Sequence, residues 1–432
     1  MGAEPIEYVK NPQQYLGGYL TVFVVVAAIV IVVLRRPDTL LNPQFWAEDG
    51  KFWYAEAYND GVIHSLLLPH TGYFQTIARL TAAFALIFPL AWAPFIFNNV
   101  AIIANVLPVS LFLSSRFSSV IPSLKTRLLL SFIYLALPNS WEVHANLTNV
   151  QTHFGLLAFM VIIAEPNDHL AWRIFDIGIV LLAGLGGPHA IMLTPIAARW
   201  WWSHRGKWPL IILITTCCCA LIQATSILLT AQQTRSLEPL GATPGLFIRI
   251  LSGQIFLAAL IGQKGYLHIF SPSGWYTAFA SVIAVMGLLA VAKAFFKAPE
   301  ELRLFIIFAA MMFGAALISP NISAPVPRWE TSTWPGVNGR YWFIPMIAFV
   351  TVLLWMTGES CSRILRVFAS MALLVMVLGI ILDWRHPPFI DFQFREHARQ
   401  FETAPKGAEV IIPINPPGWS MRLIKDGLGV DH

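Results

Sequence analysis

The sequence predicts an all-α polytopic membrane protein, and three observations predict it. Apolar residues make up 56% of the 432-residue chain and charged residues only 12%, whereas an ordinary soluble domain carries ~25% charged residues. Mean hydropathy is +0.64. Apolar runs of about 17–22 residues recur from end to end, each able to cross a ~30 Å hydrocarbon core as a helix. The runs are continuous rather than alternating, and a helix satisfies its own backbone hydrogen bonds in lipid, so helices are expected and not strands.

The elements follow in order. The first run, 18–34, comes after a short polar head and lacks a small-residue cleavage site, so it reads as a retained span and not a signal peptide. Further spans are expected near 94–115, 127–138, 153–164, 174–185, 187–198, 208–230, 276–297, 303–319, 341–357 and 362–382, about eleven in all. The pair within 174–198 reads as two half-length helices turning at Gly186-Gly187-Pro188. Lys and Arg near span ends mark the cytoplasmic side, here 116–127, Arg173, 199–207, 293–303 and 363–366. That parity puts the N-terminus in the cytoplasm and the C-terminus outside. Arg35 and Arg36 run against it, because they end the first span on the outer side. Either the later loops outvote them or they bind a lipid phosphate.

Four outer loops result, 35–93, 139–152, 231–275 and 320–340. In the first, 73–92 is apolar enough to lie along the membrane surface as a helix. In the third, 246–262 reads as re-entrant or interfacial. Residues 1–382 thus form a transmembrane domain, and 383–432 a small outer tail in which Glu409 to Asn415 reads as a short strand. No internal repeat is visible, which argues against inverted-repeat transporters. The net charge of +5 reflects cytoplasmic loops, not nucleic-acid binding. Cys217, Cys218 and Cys219 lie in one apolar run and Cys361 beside another, none with metal-ligand spacing to a histidine, so neither a zinc site nor a disulfide framework is expected.

The candidate chemistry gathers in the outer loops. Phe45-Trp-Ala-Glu-Asp-Gly50 sets Glu48 and Asp49 between aromatics just beyond the membrane. A carboxylate held near lipid ionises reluctantly unless hydrogen-bonded, which suits a general base. The alternative is a cap, with Asp49 closing a helix that begins at Lys51. Next come His70, Tyr73, Gln75 and Arg79. His70 is either a donor to substrate or to Asp49, or an ordinary loop histidine. Arg79 either snorkels to headgroups or binds a lipid-linked phosphate. In the second loop Trp141, Glu142, His144, Asn146, Asn149 and Gln151 read as an aromatic plane with amides and carboxylate for sugar hydroxyls, or as a polar turn. His189 faces the same side after the Gly-Gly-Pro break, where half-helix ends favour anions; alone, it also fits a structural histidine. Arg340 and Tyr341 open a late span on the outer face. A guanidinium fork there matches a phosphate, with Arg328 and Lys264 as further candidates, or Arg340 pairs with Glu330 or headgroups.

Together these residues resemble the GT-C superfamily of multi-span glycosyltransferases, which take a sugar from a polyprenyl-phosphate carrier. Ala47-Glu48-Asp49-Gly50 stands at the family's acidic position after the first span. The stretch from His70 to Gln75, leading to Arg79-Leu80, resembles its juxtamembrane segment, and Arg340-Tyr341 its late Arg-Tyr pair. The resemblance covers most of 15–360 and lies nearer the protein mannosyltransferase and aminoarabinose transferase branch than the oligosaccharyltransferase branch. The large soluble domain of some branches is absent.

The resemblance implies a GT-C bundle with interfacial helices in the first outer loop, set in the plasma (inner) membrane with an extracytoplasmic site. It implies inverting transfer: Asp49 or Glu48 as base, the other outer-loop residues on the substrate, and Arg340, Tyr341, Arg328, Lys264 and Arg79 on the lipid phosphate. The expected partners are membrane lipids, a polyprenyl-phosphate sugar as donor, and a glycan, lipid or protein acceptor. A divalent metal is not indicated, though the resemblance leaves room for one. A transporter or flippase of a lipid-linked glycan is the competing class. It would need polar groups through mid-span, where these runs are almost purely apolar.

Overall fold

The structure, a computed structural model, describes residues 18–230, 238–321, 326–359 and 361–425. The N-terminal polar head, the start of the third outer loop and the last tail residues lie outside the described residues. Helix α1 (Gly18–Arg35) leads into a loop of short helices, α2 (Asp38–Leu41), a π-helical turn (Asp49–Tyr54), α3 (Ala55–Asn59), α4 (Val62–Leu67) and α5 (Thr76–Ala85). There follow α6 (Ala93–Leu113), α7 (Leu124–Ala136), α8 (Val150–Ile163), α9 (Leu170–Leu185), α10 (His189–His204) and α11 (Lys207–Thr230). The second half has α12 (Pro244–Ile250), a second π-helical turn (Leu251–Leu257), α13 (Ala258–Ile269), α14 (Gly274–Lys297), α15 (Glu300–Ile318), α16 (Arg328–Ser332), α17 (Gly339–Met356) and α18 (Arg363–Leu382). The tail adds α19 (Phe394–Thr403) and a hairpin, β1 (Glu409–Ile414) and β2 (Trp419–Ile424). The strand expected over 409–415 is β1; its antiparallel partner β2, register Glu409 to Ile424, alternates apolar Trp419, Met421 and Leu423 with polar Ser420 and Arg422, a signal the sequence offered and the expectation did not include. The chain is therefore mostly helical, with one small sheet in the tail.

Seven helices among the described residues are long and apolar enough to cross a membrane. Six coincide with expected spans. Helices α1, α7, α8, α9 and α10 are shorter, and α9 and α10 turn at the Gly-Gly-Pro break as expected, each over 16 residues. The surface helix expected over 73–92 is only α5: Pro89 stops it, and a 3-10 turn at Leu90–Trp92 runs directly into α6.

The seventh long helix, Pro244–Ile269, qualifies by length and composition, yet its contacts show that it folds back. Straight, its 26 residues would extend ~39 Å. Instead Arg249, near its start, donates to the carbonyls of Pro272 and Ser273 just past its end, at 3.0 and 2.9 Å. The reversal is at Gly262, whose φ of +72° a residue with a Cβ resists. Gly253 completes it, since a Cβ there would lie 2.0 Å from the Tyr266 hydroxyl. The segment expected over 246–262 as re-entrant or interfacial is thus the first arm of a helical hairpin.

Arg35 and Arg36, the anomaly of the charge pattern, are not at a lipid surface. Both are fully buried. Arg35 donates to the carbonyls of Leu135 (2.7 Å), Leu137 (3.0 Å) and Trp384 (3.2 Å), and Arg36 to those of Trp141 (3.2 Å) and His144 (3.4 Å). These carbonyls lie at the end of α7, in the loop before α8 and just after α18, so the first loop, the second loop and the tail share one end of the bundle. At the other end, Arg116 binds Asp176 through two bonds of 2.7 and 2.8 Å, and Arg199 pairs with Glu300 at 2.9 Å.

Candidate functional site

The acidic segment sits on an aromatic floor. Phe45 is fully buried, 5.0 Å from the Phe97 ring, 5.5 Å from Tyr54 and 5.3 Å from Phe394. Ala47 then turns the chain with φ +46°, a left-handed conformation that costs a non-glycine residue on the order of 1–3 kcal/mol and persists only where its surroundings hold it. The π-helical turn follows at once. Asp49 is 1% exposed, and its Oδ1 accepts the Thr148 hydroxyl at 2.8 Å. No side chain caps this helix, and the residue in the capping position is Glu48, so a capping role for Asp49 is not what the fold shows.

Both carboxyls are pushed up in pKa. Burial does this to Asp49, well above the ordinary value of 3.8, against the opposing Thr148 hydrogen bond. Burial also raises Glu48, opposed by hydrogen bonding and by the Arg340 charge, with Glu142 adding to the rise. Glu48 is the less enclosed of the two and is the one that senses Arg340 and Glu142. Thr148 thus meets both carboxyls, and Glu48 is the one that also feels the charged pair.

That pair joins the second and fourth loops. Arg340, in the first turn of α17, is ion-paired with Glu142, and its backbone N–H donates to the other Glu142 oxygen at 3.2 Å. Glu142 therefore sits at the N-terminus of α17, taking the amide and guanidinium donors that suit an anion. Its partner is thus Arg340, and Glu330 is not involved. Arg340 Nη2 also donates to the Asn321 carbonyl at 3.0 Å, and Arg328 Nη1 to that of Pro320 at 3.5 Å, so both guanidinium groups end on adjacent carbonyls. The Arg340 guanidinium lies 4.8 Å over the Tyr341 ring. Tyr341 Oη accepts the Asn321 N–H at 3.0 Å. Tyr73 lies beside Tyr341 and bonds Gln151 and Thr71; burial raises its pKa. Gln151 in turn meets His189 across Gly187, where a Cβ would lie 2.7 Å from Gln151 Oε1 and 3.0 Å from His189 Nδ1. Gln151 Oε1 and both His189 ring nitrogens are buried without partners.

Eight of the expected residues belong elsewhere or are otherwise employed. His144 is buried, its Nε2 3.1 Å from the Val32 carbonyl and its ring 4.8 Å from His386. Burial and the nearby Arg35 hold its pKa well below 6.5, so it is neutral and structural. Asn146 and Asn149 both donate to the Glu142 carbonyl, at 3.1 and 3.0 Å, which shapes the loop and presents no amide to a sugar. Trp141 packs edge-on to Trp46, and its carbonyl serves Arg36. His70 stacks on Phe52 and Trp53 with centroids at 4.4 and 4.9 Å and does not turn to Asp49; burial and Arg79 lower its pKa to about 4. Gln75 is buried where α5 begins. Arg79 neither snorkels nor faces a headgroup: it is 1% exposed, pairs with Glu56 at 2.7 Å and lies 5.0 Å over Trp53. Lys264 is occupied at the end of α18, donating to the Leu382 carbonyl at 2.7 Å.

Sequence reading missed three participants. Thr148 joins the acidic segment to the second loop, but a lone hydroxyl carries no pattern. Asp383 accepts backbone N–H groups from Asn139 at 3.0 Å, Gln263 at 2.5 Å and Lys264 at 3.2 Å, and its place as an acid ending an apolar run was the available signal. Asn415 is the third. Among the described residues no cluster of three His, Cys, Asp or Glu could hold a metal ion. An apolar cavity of about 340 Å³ lies away from this chemistry, lined by Phe117, Pro299 and Leu302 and by Leu354 and Trp355 at the opposite end of α17 from Arg340.

No family model and no curated protein sequence matches the chain. Among solved structures it is similar to the oligosaccharyltransferase of Archaeoglobus fulgidus in the apo form. The two share 13% identity with a TM-score of 0.41, over 90% of this chain and 59% of the other. The chain thus spans less than two thirds of that protein's length.

Proposed function

We propose that the protein is a GT-C membrane glycosyltransferase that moves a sugar from a polyprenyl-phosphate carrier to a glycan, lipid or protein acceptor, with inversion. One observation carries the reading. A buried carboxylate pair of raised proton affinity is folded against a guanidinium at a helix N-terminus, at one end of a bundle of apolar helices. A general base needs the first and a departing lipid phosphate the second.

In this reading a carboxylate takes the proton of the acceptor, whose oxygen or nitrogen attacks the anomeric carbon from the face opposite the phosphate. The bond to the phosphate oxygen breaks, and Arg340 with Arg328 stabilises the charge that develops there. Glu48, less enclosed and nearer Arg340, is the better placed base, with Asp49 and Thr148 as its support. The phosphate takes the donors that Glu142 holds in this structure. Gln151 and His189, with unpartnered polar atoms, and Tyr73, bonded to Gln151, suit sugar hydroxyls. We place the chain in the plasma (inner) membrane with some eleven crossings, its N-terminus cytoplasmic and this site outside. A flippase would use the same arginines, but it would need polar groups through mid-span, where these runs are almost purely apolar.

The test is transfer of labelled sugar from a polyprenyl-phosphate donor by the purified protein. Glu48→Gln should lower turnover by ~10²–10⁴-fold while donor binding persists. Asp49→Asn should lower it less. Because the base must be deprotonated, wild-type turnover should fall with acid, through a pKa above the ordinary carboxylate range. Wild-type rates in both variants would remove the chemistry and leave the flippase.

A further inference from the structure

The segment carrying Glu48 and Asp49 is held from behind by the far end of the chain. Asn415, the residue after β1, is 2% exposed and stitches three stretches of backbone together. Its main-chain N–H donates to the Phe45 carbonyl at 3.1 Å, and its carbonyl accepts from the Ala47 N–H at 2.5 Å, forming a parallel bridge opposite Trp46. Its side chain repeats the pattern on the other side. Oδ1 accepts from Ile390 N–H and Nδ2 donates to the Ile390 carbonyl, both at 2.9 Å. A carboxamide offers one acceptor and a donor much as a peptide group does, so the side chain works as an added rung between two strands.

What this bridge grips is the strained point. Ala47 has φ +46° immediately before Glu48, and such a backbone needs its surroundings to hold it. The same hairpin supports the turn beyond: the Ile414 side chain packs where a Cβ on Gly50 would come within 3.1 Å of its Cδ1, and Lys51 Nζ lies 4.9 Å over the Trp419 ring. Farther along, Asn59 donates to the Arg422 carbonyl and accepts from the Ile424 N–H, at 2.9 and 3.0 Å. One small hairpin therefore clamps the acidic segment on both sides of its carboxylates.

We propose that Asn415 is a positioning residue for the carboxylate pair: its side chain ties its strand to Ile390, and the main chain so fixed bridges Phe45 and Ala47 and holds the left-handed turn that carries Glu48. The proposal rests on the glycosyl-transfer reading for its consequence, though not for its geometry. A hairpin that only adds stability would raise the unfolding temperature without setting that turn. The two roles separate at Ala47. Glycine adopts positive φ without a steric penalty, so Ala47→Gly should make the turn less dependent on the clamp, whereas it offers nothing to a hairpin that merely stabilises.

The experiment uses the full-length protein. Asn415→Ala, and Asn415→Ser as the milder change that keeps one hydroxyl in place of the carboxamide, are made alone and with Ala47→Gly. Turnover, donor affinity, unfolding temperature and amide hydrogen exchange over 45–50 are measured. In Asn415→Ala, turnover should drop ~10–100-fold, the scale of a misaimed group, while donor affinity holds and exchange over 45–50 rises. Adding Ala47→Gly should recover at least about tenfold of the rate. If Asn415→Ala does not fold, Asn415→Ser is read by the same outcomes. Unchanged exchange over 45–50 overturns the proposal whatever becomes of the transfer reading. So does wild-type turnover in the Asn415 variant beside a dead Glu48→Gln, which leaves the transfer reading standing. A rate that falls with the unfolding temperature and is not recovered by Ala47→Gly also overturns it.

Discussion

Arg340 shows what a single residue's surroundings change. As a cation at the first turn of an apolar helix it asks for an anion, and the fold supplies Glu142. A phosphate must then compete with a carboxylate already bound to the guanidinium and to a helix N-terminal amide. Two substitutions separate the parts. Arg340→Lys keeps the charge and loses the planar fork, so affinity for a polyprenyl-phosphate sugar should fall by ~10-fold or more, the worth of one charge-assisted bond of ~1.5–3 kcal/mol. Glu142→Gln removes the competing charge and should tighten the same binding. Titration of each variant with the donor decides it; unaltered affinity in Arg340→Lys would sink the phosphate role. The neighbouring cations show the converse. Arg35, Arg36 and Arg79 look as available as Arg340 in the sequence, but carbonyls or Glu56 consume all three.

At the scale of an element, Pro244–Ile269 is the instructive case. Composition makes it a span, and a single glycine with positive φ makes it a hairpin. Gly262 is held there by its neighbours: a Cβ would lie 2.4 Å from Asp383 Oδ2, the carboxylate that caps the returning half. Gly262→Ala therefore meets both backbone strain and a clash with a group that cannot move without losing its bonds. The apparent Tm of the detergent-solubilised protein should drop by several degrees, and Asp383→Asn should show a smaller loss. An unchanged Tm in Gly262→Ala would mean that the helix runs straight through.

The whole molecule is a bundle with two unlike ends. One end gathers the acidic segment, the 139–149 loop, the re-entrant hairpin and the tail around buried arginines; the other carries the loops at Arg116 and Glu300. The basic loops predict that the second end faces the cytoplasm. Cysteine labelling tests this, but the burial pattern governs where the probes go. Asn146 and Ser332 lie in outer loops and are buried, so a thiol there would be silent on either side. Asp60 and Lys406 are exposed at the site end, and Ser123 and Lys297 at the other. With the four native cysteines replaced, Asp60→Cys and Lys406→Cys should react with an impermeant reagent from outside, and Ser123→Cys and Lys297→Cys only after the membrane is opened. The reverse pattern would invert the topology and move the site to the cytoplasm.

The membrane class, the long helices α6, α11, α14, α15, α17 and α18, the Gly-Gly-Pro break and the strand at 409–414 were all legible in the sequence, and Glu48, Asp49 and Arg340 stood out in it as charges in an apolar chain. Each is a local property. Hydrophobicity sums over consecutive residues, and a charge in an apolar chain stands out against its immediate neighbours. Only the tertiary structure decided which charges are free. Glu142 and Arg340 lie 198 positions apart, and Asn415 meets Phe45 across nearly the whole chain. The tertiary structure also turned His144, Asn146 and Asn149 from a sugar-binding surface into the scaffold of a loop. Hydrogen bonds and ion pairs are short-range and directional, so their partners are set by where the packed helices bring the backbone, and the order of residues along the chain holds no record of that.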